Sequence, residues 1–314
     1  MGESESYNVL LNISKKDIAA SKVLYENEHY PQAVFLLQQS VEKALKSLAV
    51  FGGDVKNPSR EIGHNCANYY KLTTDKYKAQ IDRFENDEEK TEVLCRLMGF
   101  DNEGLTESIQ ETKEKMESAE KVINSAIKKP SKHRFLSDKD MLHIISKLKE
   151  VESEFNLSIS DNPSFFTNDE EFELYIIDKV NNIKNTYEFM ISKHQEDDSF
   201  SIEKAHELKE NDMKFFSGID KASWNKMGQM IIRVNYVSKA LYCLSLITDA
   251  HAVSSRYPSK NFNPIDFYTP DLSMIKNFEL LLDFAEKAID SMSYVYEEHA
   301  KNESMHKELN RVSS

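Results

Sequence analysis

The stretch EHYPQAVFLLQQSVEKALKSLAVFGG, Glu28 to Gly53, carries its own helix punctuation. Pro31 sits where the first turn of a helix tolerates a missing N–H, and Gly52 and Gly53 supply a stop. On a wheel of about 100° per residue, Val34, Leu37, Val41, Ala44, Leu45 and Leu48 fill one arc. Phe35, Leu36 and Val50 fall on the other side, interleaved with Gln39, Lys43 and Lys46. A helix facing water there would not be apolar, so both sides are expected to meet protein. One side is the core of a helical bundle; the other suits an oligomer interface or a cleft. The polar row Gln38, Gln39, Glu42, Lys43 and Lys46 then needs partners, across a subunit seam or on a bound anion. Glu42 and Lys46 are spaced for an ion pair within the helix.

The rest of the chain agrees with a helical fold. Only 8 Gly and 7 Pro punctuate 314 residues, and no convincing strand alternation occurs, so the class is all-α. The net charge of −13 opposes a broad nucleic-acid-binding face, though not a local basic pocket. Cys66, Cys95 and Cys243 are odd in number and far apart, as expected of reduced thiols in a cytoplasmic protein. No signal peptide is read at the N-terminus and no apolar run of membrane-spanning length.

Outward from Glu28–Gly53, Ser14 with Asp17 resembles a helix start. Pro58 opens a short third helical segment. Between 74 and 225 the character changes to narrow apolar stripes. These are Leu105 to Ala126, then Met141, Ile144, Leu148, Val151 and Phe155, then Phe172, Ile176, Val180, Ile183, Tyr187 and Met190. They predict long thin helices packed as hairpins or a short coiled coil. Met227, Ile231, Val234, Ser238, Leu241, Ser245 and Thr248 mark the face of a strongly apolar helix. Leu272, Ile275, Phe278, Leu282, Ala285, Ile289, Met292 and Tyr296 mark the last one. The polar tail from about residue 300 to 314 is expected to fray.

Tyr30, Ala33 and Gln39-x-x-Glu42-Lys43-x-x-Lys46 resemble the signature second helix of HEPN domains. Gly63-His64, the turn Arg256-Tyr257-Pro258 and the closing stripe with Ala285 and Ala288 resemble that family in order. The resemblance covers residues 9–73 and 226–299 and implies a homodimeric up-down bundle split by a helical insertion at 74–225. It also implies a binding module for nucleotide, RNA or a partner protein such as a small nucleotidyltransferase, in a toxin–antitoxin or defence setting. No cofactor is implied. Other family members are ribonucleases with an Arg, four to six residues, then His.

That spacing is missing. Arg60 precedes His64 by three residues, and His251 precedes Arg256 in reverse order. If both are helical, Arg60 and His64 share one face and form a degenerate site for metal-independent RNA cleavage: a histidine moves the ribose proton, an arginine holds the phosphate. The plainer reading of His64 is a cap or core hydrogen bond, and of His251 a helix-end cap. A nucleotide or anion site would draw on Gln39, Lys43, Lys46, Arg256 and Tyr257. Against it, the two lysines also suit ion pairs across a dimer, and no glycine-rich phosphate loop exists. Glu61/His64, Glu203/His206 and Glu303/His306 have the spacing of di-iron ligands, but the last two lie in charged or tail segments rather than a bundle interior. The basic run at 128–134 reads as a solvated loop.

Overall fold

Residues Glu3–Glu26 form the first helix, α1, and Tyr30–Phe51 the second, α2, in a computed structural model that describes residues 3–85, 110–114, 117, 135–160, 166, 168–193 and 201–312. The chain reverses between them at Glu28, whose φ of 62° lies in the left-handed region. The N–H of His29 donates back to the carbonyl of Leu24 at 2.8 Å and closes the turn.

The two helices are clamped by serines. Ser47 donates to the carbonyl of Tyr7 at 2.7 Å. Ser14 and Ser40 each donate to the other's carbonyl, at 2.8 and 2.9 Å. Ser21 donates to the carbonyl of Ala33 at 2.8 Å. The rungs climb α1 through 7, 14 and 21 and descend α2 through 47, 40 and 33, the same stride in opposite directions. Small side chains let the backbones approach, and each hydroxyl is satisfied where it is buried. Ser14 is therefore no helix start: it lies in mid-helix and is fully buried, because its partner is across the seam rather than in its own first turn.

The chain divides into two compact units, one of Met1–Thr73, Lys121–Asp161 and Gln229–Ser314, the other of Thr74–Glu120 and Asn162–Gly228. In the first unit, α2 ends at Gly52 and Gly53, the latter at φ 69° as a left-handed stop requires. A single turn, Pro58–Glu61, is capped by the Asn57 side chain. Ala67–Glu85 form α3, whose first residues belong to this unit. Asp138–Ser160 form α4 and bury Met141, Ile145 and Leu148, while Phe155 stacks on Tyr236 at 4.2 Å. Although α4 lies within the expected insertion 74–225, it belongs to the first unit, held also by the Lys239–Glu154 and Lys287–Glu152 ion pairs.

In the second unit, Asp169–Lys193 form α5 and Ile202–Gly218 form α6. They are joined by Tyr187 donating to Asp212 at 2.7 Å and by the Lys209–Glu188 pair. Phe172 and Ile183 of the expected stripe are buried, together with Ala205. The seam at 105–126, apart from residues 110–114 and 117, lies outside the described residues, as do Cys95 and the basic run up to Arg134.

Lys221–Thr248 form α7. It is long and apolar enough to cross a membrane by length and composition, contrary to the expectation that no such run exists. From Gln229 onward, however, it supplies core: Tyr236, Val237, Ala240, Leu241, Leu244 and Ile247 are buried. Its expected face is right only toward the C-terminal end, where Leu241, Ser245 and Thr248 are buried, for Met227 and Ile231 are exposed. Phe278–Val312 form α8, which buries Phe278, Leu281, Leu282, Phe284, Ala285, Ala288, Ile289, Met292, Val295 and Tyr296. It continues as helix through the expected fraying tail. No strand occurs among the described residues; the Ser259–Phe262 bridge is isolated.

Replacing Ser40 by Ala should cost about 1 kcal/mol and by Leu about 1–3 kcal/mol, because the second forces α1 and α2 apart. Urea unfolding should rank wild type, Ser40→Ala and Ser40→Leu in that order.

Candidate functional site

The polar row on α2 is satisfied mostly by itself. Gln39 accepts from Lys43 at 3.1 Å, Gln38 donates to Glu42 at 3.2 Å, and Lys46 donates to Glu42 at 2.6 Å, each pair one turn apart. Gln39 also donates to Gln38 at 2.7 Å. Outside α2 the row meets Asp17, His64 and, through the Gln38 amide, Asp249. Lys43 pairs with Asp17 of α1 at 2.7 Å. Nδ1 of His64 lies 3.2 Å from the same Glu42 oxygen that holds Lys46. Glu42 and Lys46 are only 4% and 6% exposed, so the pair is desolvated and neither charge is free for a ligand.

Burial by itself would raise the Glu42 carboxyl. The Lys46 hydrogen bond and charge, the Gln38 amide and His64 outweigh it and hold the group below its ordinary range. Removing one member of such a pair strands the other charge.

Around this pair the chain brings together residues far apart in sequence. The segment after the Pro58–Glu61 turn passes through Gly63, at φ 67°, to His64 and Cys66. The helix stops at Glu61, so Arg60 and His64 do not share a helical face as the sequence suggested. Arg60 is exposed, its N–H spent on the Asn57 cap. The His64 side chain is 88% exposed, anchored by one nitrogen. Two residues on, the N–H of Cys66 donates to Asp249 Oδ2 at 3.0 Å. Asp249 follows the last residue of α7, and its Oδ1 is buried without a hydrogen-bond partner. Burial pushes the Asp249 carboxyl up to about 7, reinforced by the Glu42 charge and opposed by Cys66 and Gln38. Cys66 is fully buried, and burial and Asp249 raise its thiol well above the usual range. Neither Cys66 nor Asp249 was singled out from the sequence; the pointer for Asp249 was an acid at the carboxyl end of an apolar helix, where a negative charge opposes the helix dipole.

His251, the other candidate base, lies in the core at 1% exposure. Its Nδ1 is 2.9 Å from the Tyr268 hydroxyl, and its ring stacks on Phe135 at 4.8 Å. Nε2 has no partner among the described residues. Burial lowers the imidazole to about 3, so it stays neutral and inaccessible rather than serving a cleft. Arg256 is exposed. Its guanidinium lies over Phe35 of α2 at 4.6 Å and over Tyr257 at 5.0 Å, and its Nε donates to the carbonyl of Ala252. Tyr257 is 57% exposed. Beside it, reciprocal backbone bonds between Ser259 and Phe262, 2.8 and 3.1 Å, close a turn carrying exposed Lys260.

Gln39, Lys43 and Lys46 thus form one network with Glu42 and His64, whereas Arg256 and Tyr257 form a separate cation–aromatic pair against Phe35. No group of three or more His, Cys, Asp or Glu among the described residues could hold a metal ion.

Two consequences are measurable. Glu42→Gln leaves the Lys46 charge buried without its counter-ion and should cost about 3–5 kcal/mol in urea unfolding. His251 binds protons more weakly folded than unfolded, so its contribution to stability is complete above about pH 6.5 and is lost as pH falls toward about 3. His251→Gln should flatten that acid limb in thermal melts taken from pH 7 to 4.

Comparison with family models matches residues 7–132 to the HEPN domain. No curated protein and no solved structure matches the chain. The matched region contains α1, α2 and α3 with the whole polar row and His64; the Arg256 turn and α8 lie outside it.

Proposed function

We propose, from the premise that residues 7–132 carry a HEPN domain, that this protein is an RNA-binding module without the family's ribonuclease pair. The observation that carries this reading is the division of the cations. Lys43 and Lys46 are neutralised inside the fold by Asp17 and Glu42, while Arg256 and Tyr257 are presented to solvent with the guanidinium held between two rings. A guanidinium so held offers its N–H edges to phosphate oxygens. The exposed Tyr257 ring offers a stacking surface for an unpaired base, and Lys260 adds charge to the same loop. On a chain of net charge −13, such a local island favours single-stranded RNA over a long duplex, which needs a broad basic face. The working form in this proposal is a cytoplasmic homodimer in a toxin–antitoxin or defence setting, with a nucleotidyltransferase-type protein as a candidate partner.

A second reading rests on His64. Its ring is exposed, and one nitrogen is oriented by a buried carboxylate, the arrangement of a histidine that exchanges protons with a substrate. With Arg60 holding phosphate, this would be a metal-independent endoribonuclease whose Arg-to-His spacing departs from the family's.

Both readings are tested with a mixed, labelled RNA pool. Anisotropy should show binding weakened about 5- to 100-fold by Tyr257→Ala, in keeping with the loss of about 1–3 kcal/mol per stacked base, and weakened likewise by Arg256→Ala. Binding unchanged in both variants would overturn the assignment. Cleavage that disappears in His64→Ala but survives Arg256→Ala would establish the second reading instead.

A further inference from the structure

We infer that the segment Ile62–Cys66 is a latch closed by a proton: two buried carboxylates, Glu42 and Asp249, fasten it to the bundle, and it is held shut when Asp249 is protonated and released when Asp249 is charged. The inference stands apart from the RNA-binding reading and uses none of its proposed RNA contacts, Arg256, Tyr257 and Lys260.

The geometry supplies the argument. The segment touches the bundle's acids at two points, His64 on Glu42 at 3.2 Å and the Cys66 N–H on Asp249 at 3.0 Å. Ile62 and Cys66 are buried while His64 between them is exposed, so the segment is a lid over the acids and not a surface loop. Beneath it the charges do not balance. Lys46 is bonded to Glu42. The carboxyl of Asp249 meets neutral donors alone: the Cys66 N–H on Oδ2 at 3.0 Å, with the Cys66 thiol and the Gln38 amide beside it, while Oδ1 is buried without a well-formed hydrogen bond among the described residues. A carboxylate left half satisfied in the interior is costly, and here it also meets the carboxyl end of α7 and the nearby Glu42 charge. The Gln38 amide serves both acids and neutralises neither.

The titratable groups facing the cluster among the described residues come from three elements. Glu42 and Lys46 come from α2, His64 and Cys66 from the segment, and Tyr70 from α3, its hydroxyl pushed well above the usual range by burial. None of these is a cation free to match Asp249. Two responses remain: Asp249 takes a proton from water, or the segment lifts and lets water reach it. Closure therefore binds a proton and opening releases one.

The sign follows from linkage. A carboxyl raised to about 7 in the closed state, against an ordinary value near 4, favours opening progressively as pH rises between those values and no further above them. Glu42 works in the opposite sense at more acid pH, because its partners favour its charged form. The window from pH 5 to 8 isolates Asp249 from it. His64 bonds to the same cluster through Glu42, so it needs its own control.

Hydrogen exchange of the intact chain, corrected for intrinsic rates, reads the latch directly. Protection of peptides spanning Ile62–Cys66 should fall about tenfold per pH unit from 5 to 7 and then level off, while peptides from Leu281 to Ile289 in α8 stay flat. Asp249→Asn, which mimics the protonated acid, should abolish the slope, and His64→Gln should retain it. A flat wild-type profile overturns the inference. So does an equal slope in the α8 peptides, which marks global unfolding, or a slope that survives Asp249→Asn and disappears in His64→Gln. The wild-type comparison between the two regions decides even if the Asp249 variant does not fold.

Discussion

Everything in the first unit is arranged around the close approach of α1 and α2. Serine is a poor choice for a helix interior when its hydroxyl faces apolar neighbours, yet Ser14, Ser21, Ser40 and Ser47 are all buried. They are tolerated because each rung delivers the hydroxyl to a carbonyl of the opposite helix. Alanines would allow the same separation without fixing the register; larger apolar residues would fix a register at a wider separation. The serine stride does both, and it sets which way the rest of α2 points. Once Ser40 and Ser47 face α1, the apolar arc through Leu37, Val41, Leu45 and Leu48 is turned toward core, and Glu42 and Lys46 toward the 62–66 segment.

That orientation explains why the polar row is structural. Residues at i, i+3 and i+4 are neighbours on a helix, so the pattern Gln38, Gln39, Glu42, Lys43, Lys46 can satisfy much of its own hydrogen bonding before meeting anything else. What remains is one positive charge for Asp17 and one carboxylate edge for His64. The row is therefore a fastener between three parts of the chain. Its burial makes it intolerant of partial removal, since the cost of a lone buried charge exceeds what the intact pair contributes.

Much of this was legible in the sequence, but unevenly. The ends of α2 were readable because Pro31 and Gly52-Gly53 have specific backbone roles, whereas the expected second face is only half-buried at Phe35, Leu36 and Val50. The inward stripe of α8 follows from simple periodicity. Ser14 misled because a serine before an acid looks the same at a helix start and inside a serine rung; only the matching stride on α2 distinguishes them. Arg60 and His64 misled because a helical reading carried through Gly63, whose left-handed φ ends the turn. Asp249 and Cys66 were out of reach, since their meeting depends on how α7 ends against the start of α3, 183 positions apart in the chain.

The histidines show how little residue type decides by itself. His64 and His251 were both candidates because each lies near an arginine in the sequence. One follows a left-handed glycine that turns it outward, with a carboxylate behind it. The other is stacked on Phe135 and packed against Tyr268, whose hydroxyl is its hydrogen-bond partner, and burial keeps it neutral. The difference comes from what surrounds each ring: His64 stands in solvent with a carboxylate at hydrogen-bond distance, whereas burial holds His251 in its neutral form. The same rule separates the two acids of the cluster. Glu42 has a lysine and holds its charge to more acid pH, whereas Asp249 has the neutral donors Cys66 and Gln38 and no lysine. The chain thus places two acids of opposite tendency under the same five residues, and this asymmetry makes the 62–66 segment sensitive to a proton.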